Sequence, residues 1–361
     1  MNAWAEDLLG PGFEALTLPL LPDDDGTPVA TLIRYVPQDD PESLPGAVPF
    51  PTADATGATG VGASANPEAA LPRFVVLAIH GWNDYFFQRE LARNVAAMGG
   101  AFYAIDLRKY GRSHQEGEPW GYMTNLSVYD EDLHEAFDVI HHELGTEIPR
   151  VLYGHSTGGL TAALWADRHP GALAGVVLNS PWIEFQGATI TRQIGQPVLD
   201  VIARNAPSTV IPLSDSGTYQ RLLTGYRADD ELEADFDLTD PFVTGWEPDE
   251  RYRHFPTFPI RFGWLNAILQ GHEHVAAGLA IDCPILVMTS ARSMLTSEWS
   301  AEMRSADIVL DVEQIWKRVP GLGSNTTLIK FDGAIHDITL SRRDVRTQVF
   351  DSIGRWAQAW V

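Results

Sequence analysis

Apolar positions along the chain fall into two rhythms. Short continuous runs, the mark of strands buried on both faces, recur at Arg73–Ile79, Ala101–Asp106, Val151–Tyr153, Leu173–Leu178, Cys283–Thr289 and Thr326–Phe331. Between them lie stretches with helical spacing: Tyr85–Met98, Ser127–Leu144, Leu160–Arg168, Val312–Val319 and Arg342–Trp360. The last of these sets Val345, Val349, Ile353 and Trp356 along one face. Gly99-Gly100 is a stop signal for the first helix, and Ser127 with Asp130 three residues on is a start signal for the second. Strand followed by helix, repeated, predicts an α/β fold with a doubly wound, mostly parallel sheet. Ahead of it, Phe13–Leu20 and Val29–Val36 flank Pro22–Gly26 and predict a β-hairpin.

Two segments break the rhythm. Residues 38–71 hold five Pro and four Gly, one aromatic (Phe50) and no Lys or Arg. That composition predicts a flexible insertion. The second break runs from Ile183 to Ala280, with helical stretches only near Ile190–Ala203 and Pro259–Leu279. It predicts a largely helical cap, 183–280, inserted into a core made of 1–182 and 281–361.

One stretch carries chemistry by itself. The run Val151–Tyr153 leads directly into Gly154-His155-Ser156-Thr157-Gly158, and an Ala- and Leu-rich helix follows. Strand, tight turn and helix around Gly-x-Ser-x-Gly form the context of a nucleophile elbow. The glycines leave room where a side chain would collide with the strand or helix, and Ser156 is exposed on a strained turn. The Thr157 amide, at the helix N-terminus, is placed to donate to an oxyanion.

Composition narrows the partners. The chain carries 48 Asp and Glu against 25 Lys and Arg, a formal charge of −23, which disfavours nucleic acid and anionic membrane surfaces. Ala228–Glu250 concentrates ten of those carboxylates without a base. It reads as a solvated surface, with attraction of a cationic substrate as the alternative. The single cysteine, Cys283, heads an apolar run and reads as a buried thiol. The first residues show neither a basic region nor an apolar segment, and no run reaches spanning length, so a cytoplasmic protein without stable membrane insertion is expected. His272-Glu273-His274 lacks a third ligand nearby and reads as part of a surface helix, so no metal is expected.

These motifs together resemble the α/β-hydrolase superfamily, within it the capped esterases similar to monoacylglycerol lipases and the serine aminopeptidase-like group. The carriers are His80-Gly81-Trp82, Asp106-Leu-Arg-Lys-Tyr-Gly-Arg112-Ser113, Gly154-His-Ser156-Thr-Gly158 and Gly333-Ala-Ile-His336, in the family's order. The resemblance implies Ser156 as nucleophile, His336 as base, and an oxyanion hole from the amides of Trp82 and Thr157. It also implies an acid before the last strand. Asp307 and Asp311 both qualify by position, but Asp311 precedes the run Val312–Val319 with Gln314 three residues on, a capping-box arrangement. Asp307 stands before the apolar Ile308–Leu310, as the family's acid does, and is the expected triad member. The implied activity is hydrolysis of monoacylglycerols or similar small acyl esters through an acyl-enzyme, with no cofactor. Trp82, Phe86, Trp182 and Trp264 are expected to line an apolar acyl pocket. The alternatives are an aminopeptidase-like hydrolase of the same fold and a non-catalytic ligand-binding member; the oligomeric state is left open.

Overall fold

The computed structural model describes residues 3–51, 71–184, 196–212, 215–228, 230–232, 236–296 and 298–361. In chain order the strands are β1 (Ala5–Glu6), β2 (Phe13–Pro19), β3 (Val29–Tyr35), β4 (Phe74–Ile79), β5 (Gly100–Asp106), β6 (Arg150–His155), β7 (Gly175–Asn179), β8 (Ile285–Ser290) and β9 (Thr326–Phe331). The helices are α1 (Arg89–Ala97), α2 (Tyr129–Leu144), α3 (Thr157–Arg168), α4 (Gln196–Asn205), α5 (Thr218–Leu223), α6 (Pro241–Thr244), α7 (Phe262–Ala277), α8 (Val312–Arg318) and α9 (Arg343–Trp360).

The strands make one sheet in the order β1-β2-β3-β5-β4-β6-β7-β8-β9. The first three are an antiparallel meander, joined to β5 antiparallel; every pair from β5·β4 onward is parallel. The predicted hairpin and doubly wound parallel sheet are therefore what forms. All residues of β4, β5, β7 and β8 are buried, because helices cover both faces. Leu77, Ile79, Leu152 and Val176 point to the face packed by α2, α3 and α7, with Leu133, Leu160 and Ile268 among the partners. Val76, Ala78, Val151 and Val177 point to the face covered by α1 and α9, against Leu91, Val95, Val349 and Ile353. Strand β4 pairs with β5 on one side and β6 on the other. The chain thus reverses its winding direction there, and the carboxyl ends of β4 and β6 border the crevice where such sheets hold ligands.

Several local expectations change. Residues Tyr85–Gln88 are not helical and α1 starts at Arg89. The Phe86 amide is taken by the fully buried Asp106 carboxylate at 2.8 Å, and the Phe87 amide by Gln88 Oε1 at 3.0 Å, so tertiary bonding overrides helical spacing. The start signal at Ser127 is displaced: Asn125 accepts its amide and caps a 3-10 turn, and α2 begins at Tyr129. Part of the expected flexible insertion is ordered. Gln38 bonds both backbone groups of Phe50, Asp40 pairs with Arg93 at 2.7 Å, and Phe50 is buried against Tyr103. Residues 52–70 lie outside the described residues, as do 185–195, which include 190–195 of the expected helical stretch Ile190–Ala203. Helix α7, expected on the surface, is largely buried, and His272 within it is 4% exposed.

The acidic run is not a bare solvated face either. Asp230 pairs with Arg221 and Arg304, Asp237 with Arg343, and Asp249 with Arg251. Asp240 is the most enclosed: it caps α6, accepts the Arg343 amide, and pairs with Arg346 at 2.7 Å, both side chains being 2% exposed. Arg346 also holds Glu90 of α1 at 2.6 Å. Through this triad the segment between β7 and β8 is fastened to two helices of the core. Among the described residues no helix is long and apolar enough to cross a membrane.

Removing Arg346 leaves Asp240 buried without a cation, which is the costly way to break a buried pair. Arg346→Ala should lower the unfolding free energy by about 3–5 kcal/mol, read from denaturant midpoints. A loss below about 1 kcal/mol, the level of an exposed pair, would refute the fastening role.

Candidate active site

Strand β6 ends at His155, and Ser156 turns the chain into α3 with φ +54° and ψ −115°. A non-glycine residue holds such a backbone only where its surroundings over-determine it, at a cost of about 1–3 kcal/mol. Here they do. The Ser156 amide donates to the Asn179 carbonyl at 3.0 Å, and its carbonyl accepts from Gly159, Leu160 and Trp182. A Cβ on Gly154 would lie 2.4 Å from the Gly158 carbonyl oxygen, and one on Gly158 2.3 Å from the His80 carbonyl oxygen. These glycines are therefore required by backbone-to-backbone contact. A Cβ on Gly81 would approach the Ser156 Cβ to 3.2 Å, so the chain leaving β4 passes directly over the serine. Thr157 occupies the first turn of α3, where amides have no partner in the helix ladder, and Trp82 follows Gly81 in the passing loop.

The structure brings His336 and Ser156 onto the wall of one cavity of about 190 Å³. His336 lies in the loop after β9 and is 2% exposed. Its Nδ1 is 2.9 Å from Asp307 Oδ2. Asp307 is fully buried; its other oxygen, Oδ1, accepts the amides of Val309 and Leu310, each at 2.8 Å. Its own backbone is pinned to the segment after β8 through Arg292 and Met294. Asp311 instead caps α8, accepting the Glu313 amide at 3.1 Å and the Gln314 side chain at 3.3 Å. The carboxylate reaching the histidine is the one before the apolar segment; the helix start holds the other.

The aromatic residues divide differently from the expectation. Trp82 lines the cavity. Trp264, 2% exposed, packs tilted against it with ring centroids 4.0 Å apart, and Trp182 packs behind Trp264 at 6.1 Å. Both form a backing layer rather than a wall. Phe86 faces the opposite side, in the core against Phe102 at 5.1 Å, because its amide bond to Asp106 turns that segment inward. The wall is completed by residues that the sequence did not single out, among them Asp84, Tyr219, Arg253 and Phe255. Arg253 and Asp84 make a buried pair at 2.6 Å, and Asn83 bonds the His254 carbonyl at 2.9 Å. Thus the 253–258 segment clasps the loop that follows β4. Asp84 stood next to a recognised motif, but Arg253 carried no signal: only folding brings it to the serine.

His272 and His274 do not converge. His272 Nε2 bonds the Trp182 carbonyl at 2.8 Å, and burial lowers its pKa to about 4, so it is neutral; His274 pairs with Asp167. Among the described residues no group of three or more His, Cys, Asp or Glu is arranged to hold a metal ion.

A family model described as serine aminopeptidase, S33 matches residues 70–342. The chain is 27% identical over 162 residues to the monoacylglycerol lipase of Mycolicibacterium smegmatis, covering 44% of this chain and 56% of that protein, so little more than half of that relative is spanned. It is 24% identical over 288 residues to the monoglyceride lipase of Homo sapiens, covering 79% and 82%. Among solved structures, a soluble variant of the Saccharomyces cerevisiae monoglyceride lipase superposes with a TM-score of 0.59 at 17% identity, covering 94% of this chain and 95% of that one. At that identity the likeness speaks for the fold.

The close contacts at the elbow are testable without a substrate. Gly158→Ala pushes a methyl group into the backbone end of β4 and should cost about 1–3 kcal/mol of stability. Gly321→Ala, whose Cβ meets nothing within 4 Å, should stay within about 0.5 kcal/mol of the parent. Equal melting temperatures for the two variants would contradict the packing argument.

Proposed function

The chain belongs to the serine aminopeptidase S33 family, and from that premise we propose that it is a serine hydrolase that cleaves carboxylic esters, monoacylglycerols or similar acyl esters, through an acyl-enzyme. The observation that carries this reading is the pairing of the strained Ser156 with the His336–Asp307 contact of 2.9 Å on one small cavity. Asp307 has one oxygen committed to two amides and the other to His336 Nδ1. That arrangement keeps a proton on Nδ1 and leaves Nε2 as the base.

The steps follow. His336 takes the Ser156 proton as Oγ adds to the ester carbonyl, and the amides of Trp82 and Thr157 receive the oxyanion. The tetrahedral species collapses, the alkoxide leaves with the proton from His336, and the acyl group remains on Ser156. Water then adds with His336 again as base, releasing the carboxylic acid. The rim formed by Trp82, Phe255 and Val309 suits an acyl chain, and the Asp84–Arg253 pair beside Tyr219 suits an alcohol that carries hydroxyl groups. The curated relatives named as monoacylglycerol and monoglyceride lipases support that choice of substrate class. The buried Cys283, its pKa raised to about 11 chiefly by burial, has no part in the chemistry and fits a cytoplasmic setting. Residues 183–280 act in this reading as the cap that selects substrates.

Three measurements test the proposal. A phosphonate probe should add one mass increment to the peptide containing Ser156, and Ser156→Ala should abolish both labelling and turnover; adduct formation on another serine refutes the assignment. Asp307→Asn should lower kcat by about 10⁴-fold through the wrong His336 tautomer, whereas Asp311→Asn should remain near the parent because Asn also caps helices; the reverse pattern would reassign the acid. Finally, p-nitrophenyl acyl esters should be cleaved with higher kcat/KM than matched aminoacyl anilides, and equal or inverted values would favour a peptidase.

A further inference from the structure

A second buried carboxylate, Asp337, follows His336 in the chain, and the reaction above does not use it. Asp337 is 2% exposed. Its Oδ1 accepts from Asn179 Nδ2 at 2.7 Å, Thr339 Oγ1 at 2.6 Å and the Thr339 amide at 3.1 Å; its Oδ2 accepts from Gln88 Nε2 at 3.1 Å. None of these donors carries a full charge. A carboxyl group taken out of water is normally pushed toward its neutral form. Burial does push Asp337 that way, but the neighbouring His155 and the bonds from Thr339, Asn179 and Gln88 outweigh it and hold its pKa below the ordinary value. Every hydrogen bond to its two oxygens comes from a donor, which is the arrangement that favours the carboxylate over the acid.

Asn179, at the end of β7 and fully buried, connects this charge to the elbow. Its carbonyl accepts the Ser156 amide at 3.0 Å and lies 3.2 Å from His155 Nδ1. Its side-chain NH₂ spans Asp337 and the Tyr153 hydroxyl, each at 2.7 Å, and its Oδ1 accepts the Ile338 amide at 3.3 Å. One side chain thus grips the histidine loop while its backbone holds the serine. The His155 ring stands between the two halves, 4.9 Å from the His336 ring centroid.

We propose that Asp337 is a positioning residue of the hydrolytic site: through Asn179 it registers the Ser156 turn against the His336 loop, and its charge favours the imidazolium that His336 becomes as Ser156 attacks. This rests on the ester-hydrolase reading above. The groups bonded to Asp337 are neutral and do not offset its charge, and the buried cation on the same cavity, Arg253, is paired with Asp84. The competing explanation is that Asp337 only caps the 3-10 turn Ile338–Leu340.

The two explanations separate in the pH profile. The other titratable groups around this pair are Asp307 after β8, His155 and Tyr153 on β6, His80 and Asp84 after β4, and Asp215, Tyr219, Arg253 and His254 between β7 and β8. All of them remain in Asp337→Asn, so a displaced profile reports the lost charge. The Asn amide oxygen can accept from Asn179 and Thr339 as the carboxylate does; Gln88 keeps its Oε1 on the Phe87 amide, so its bond to position 337 is the one lost. Asp337→Ser serves beside it, since Ser caps a turn well without charge.

The experiment measures kcat, KM and the pH dependence of kcat/KM on a p-nitrophenyl ester, with thermal melts of each protein. Parent protein that neither turns over esters nor takes the phosphonate label would refute the hydrolase reading itself. With an active parent, the neutral variants should fold, keep KM, lose about tenfold or more in kcat, and shift the acid limb down by about one pH unit. The sign follows from the chemistry: without the neighbouring negative charge the imidazolium is less stable, so the base survives to lower pH. Unchanged kcat and profile in either folded variant would overturn the proposal. So would a loss of kcat with an unmoved acid limb, which is the mark of a turn cap alone. If Asp337→Asn fails to fold, Asp337→Ser gives the same reading.

Discussion

The architecture around the site depends on one constraint, the close approach of three backbone segments around Ser156. The end of β4, the start of α3 and the end of β7 meet with no room for a side chain between their backbones. The serine holds its positive φ because each of those segments takes one of its backbone groups or blocks its escape. That requirement reaches outward. Gly154 and Gly158 cannot carry side chains, Gly81 leaves only a tight space over Ser156, β4 must sit beside β6, and the loop after β4 has to cross over the turn. The switch in winding direction at β4 supplies this juxtaposition, since it leaves a crevice over the carboxyl ends of both strands.

Electrostatics then settles what the crevice contains. Although the chain has a large negative charge, the carboxylates near the site are individually committed. Asp106 is bound to amides and Arg112, Asp84 to Arg253, Asp240 to Arg346, and Asp307 to two amides and His336. Burial makes each of these pairings mandatory, because an unpaired charge in the interior costs several kcal/mol. Their geometry also shapes the site: Asp84–Arg253 clasps the segment between β7 and β8 onto the loop over Ser156, and Asp240–Arg346 fastens its far side to α9.

The aromatic residues show how packing redistributes roles. Trp82, Trp264 and Trp182 pack one behind another with tilted rings, so of the three only the first borders the cavity and the others back it. A rigid wall of this kind positions a substrate with little loss of side-chain entropy.

Much of this protein was legible before folding was considered. The buried strands announced themselves because a strand covered on both faces must be apolar throughout, and the elbow did so because only glycine tolerates its backbone contacts. Even the capping of α8 by Asp311 could be read locally, since capping is a contact with the next turn of the same helix. What lay beyond reach were contacts between residues far apart in the chain. Tyr85–Gln88 has helical spacing, yet Asp106 takes its amide; Gln38 and Phe50 sit in a stretch of disordered composition, yet bind one another. Arg253 and Tyr219 have no motif at all. Their places beside Ser156 and His336 follow from which strand ends the sheet brings together, and a pattern along one chain carries no record of that distance.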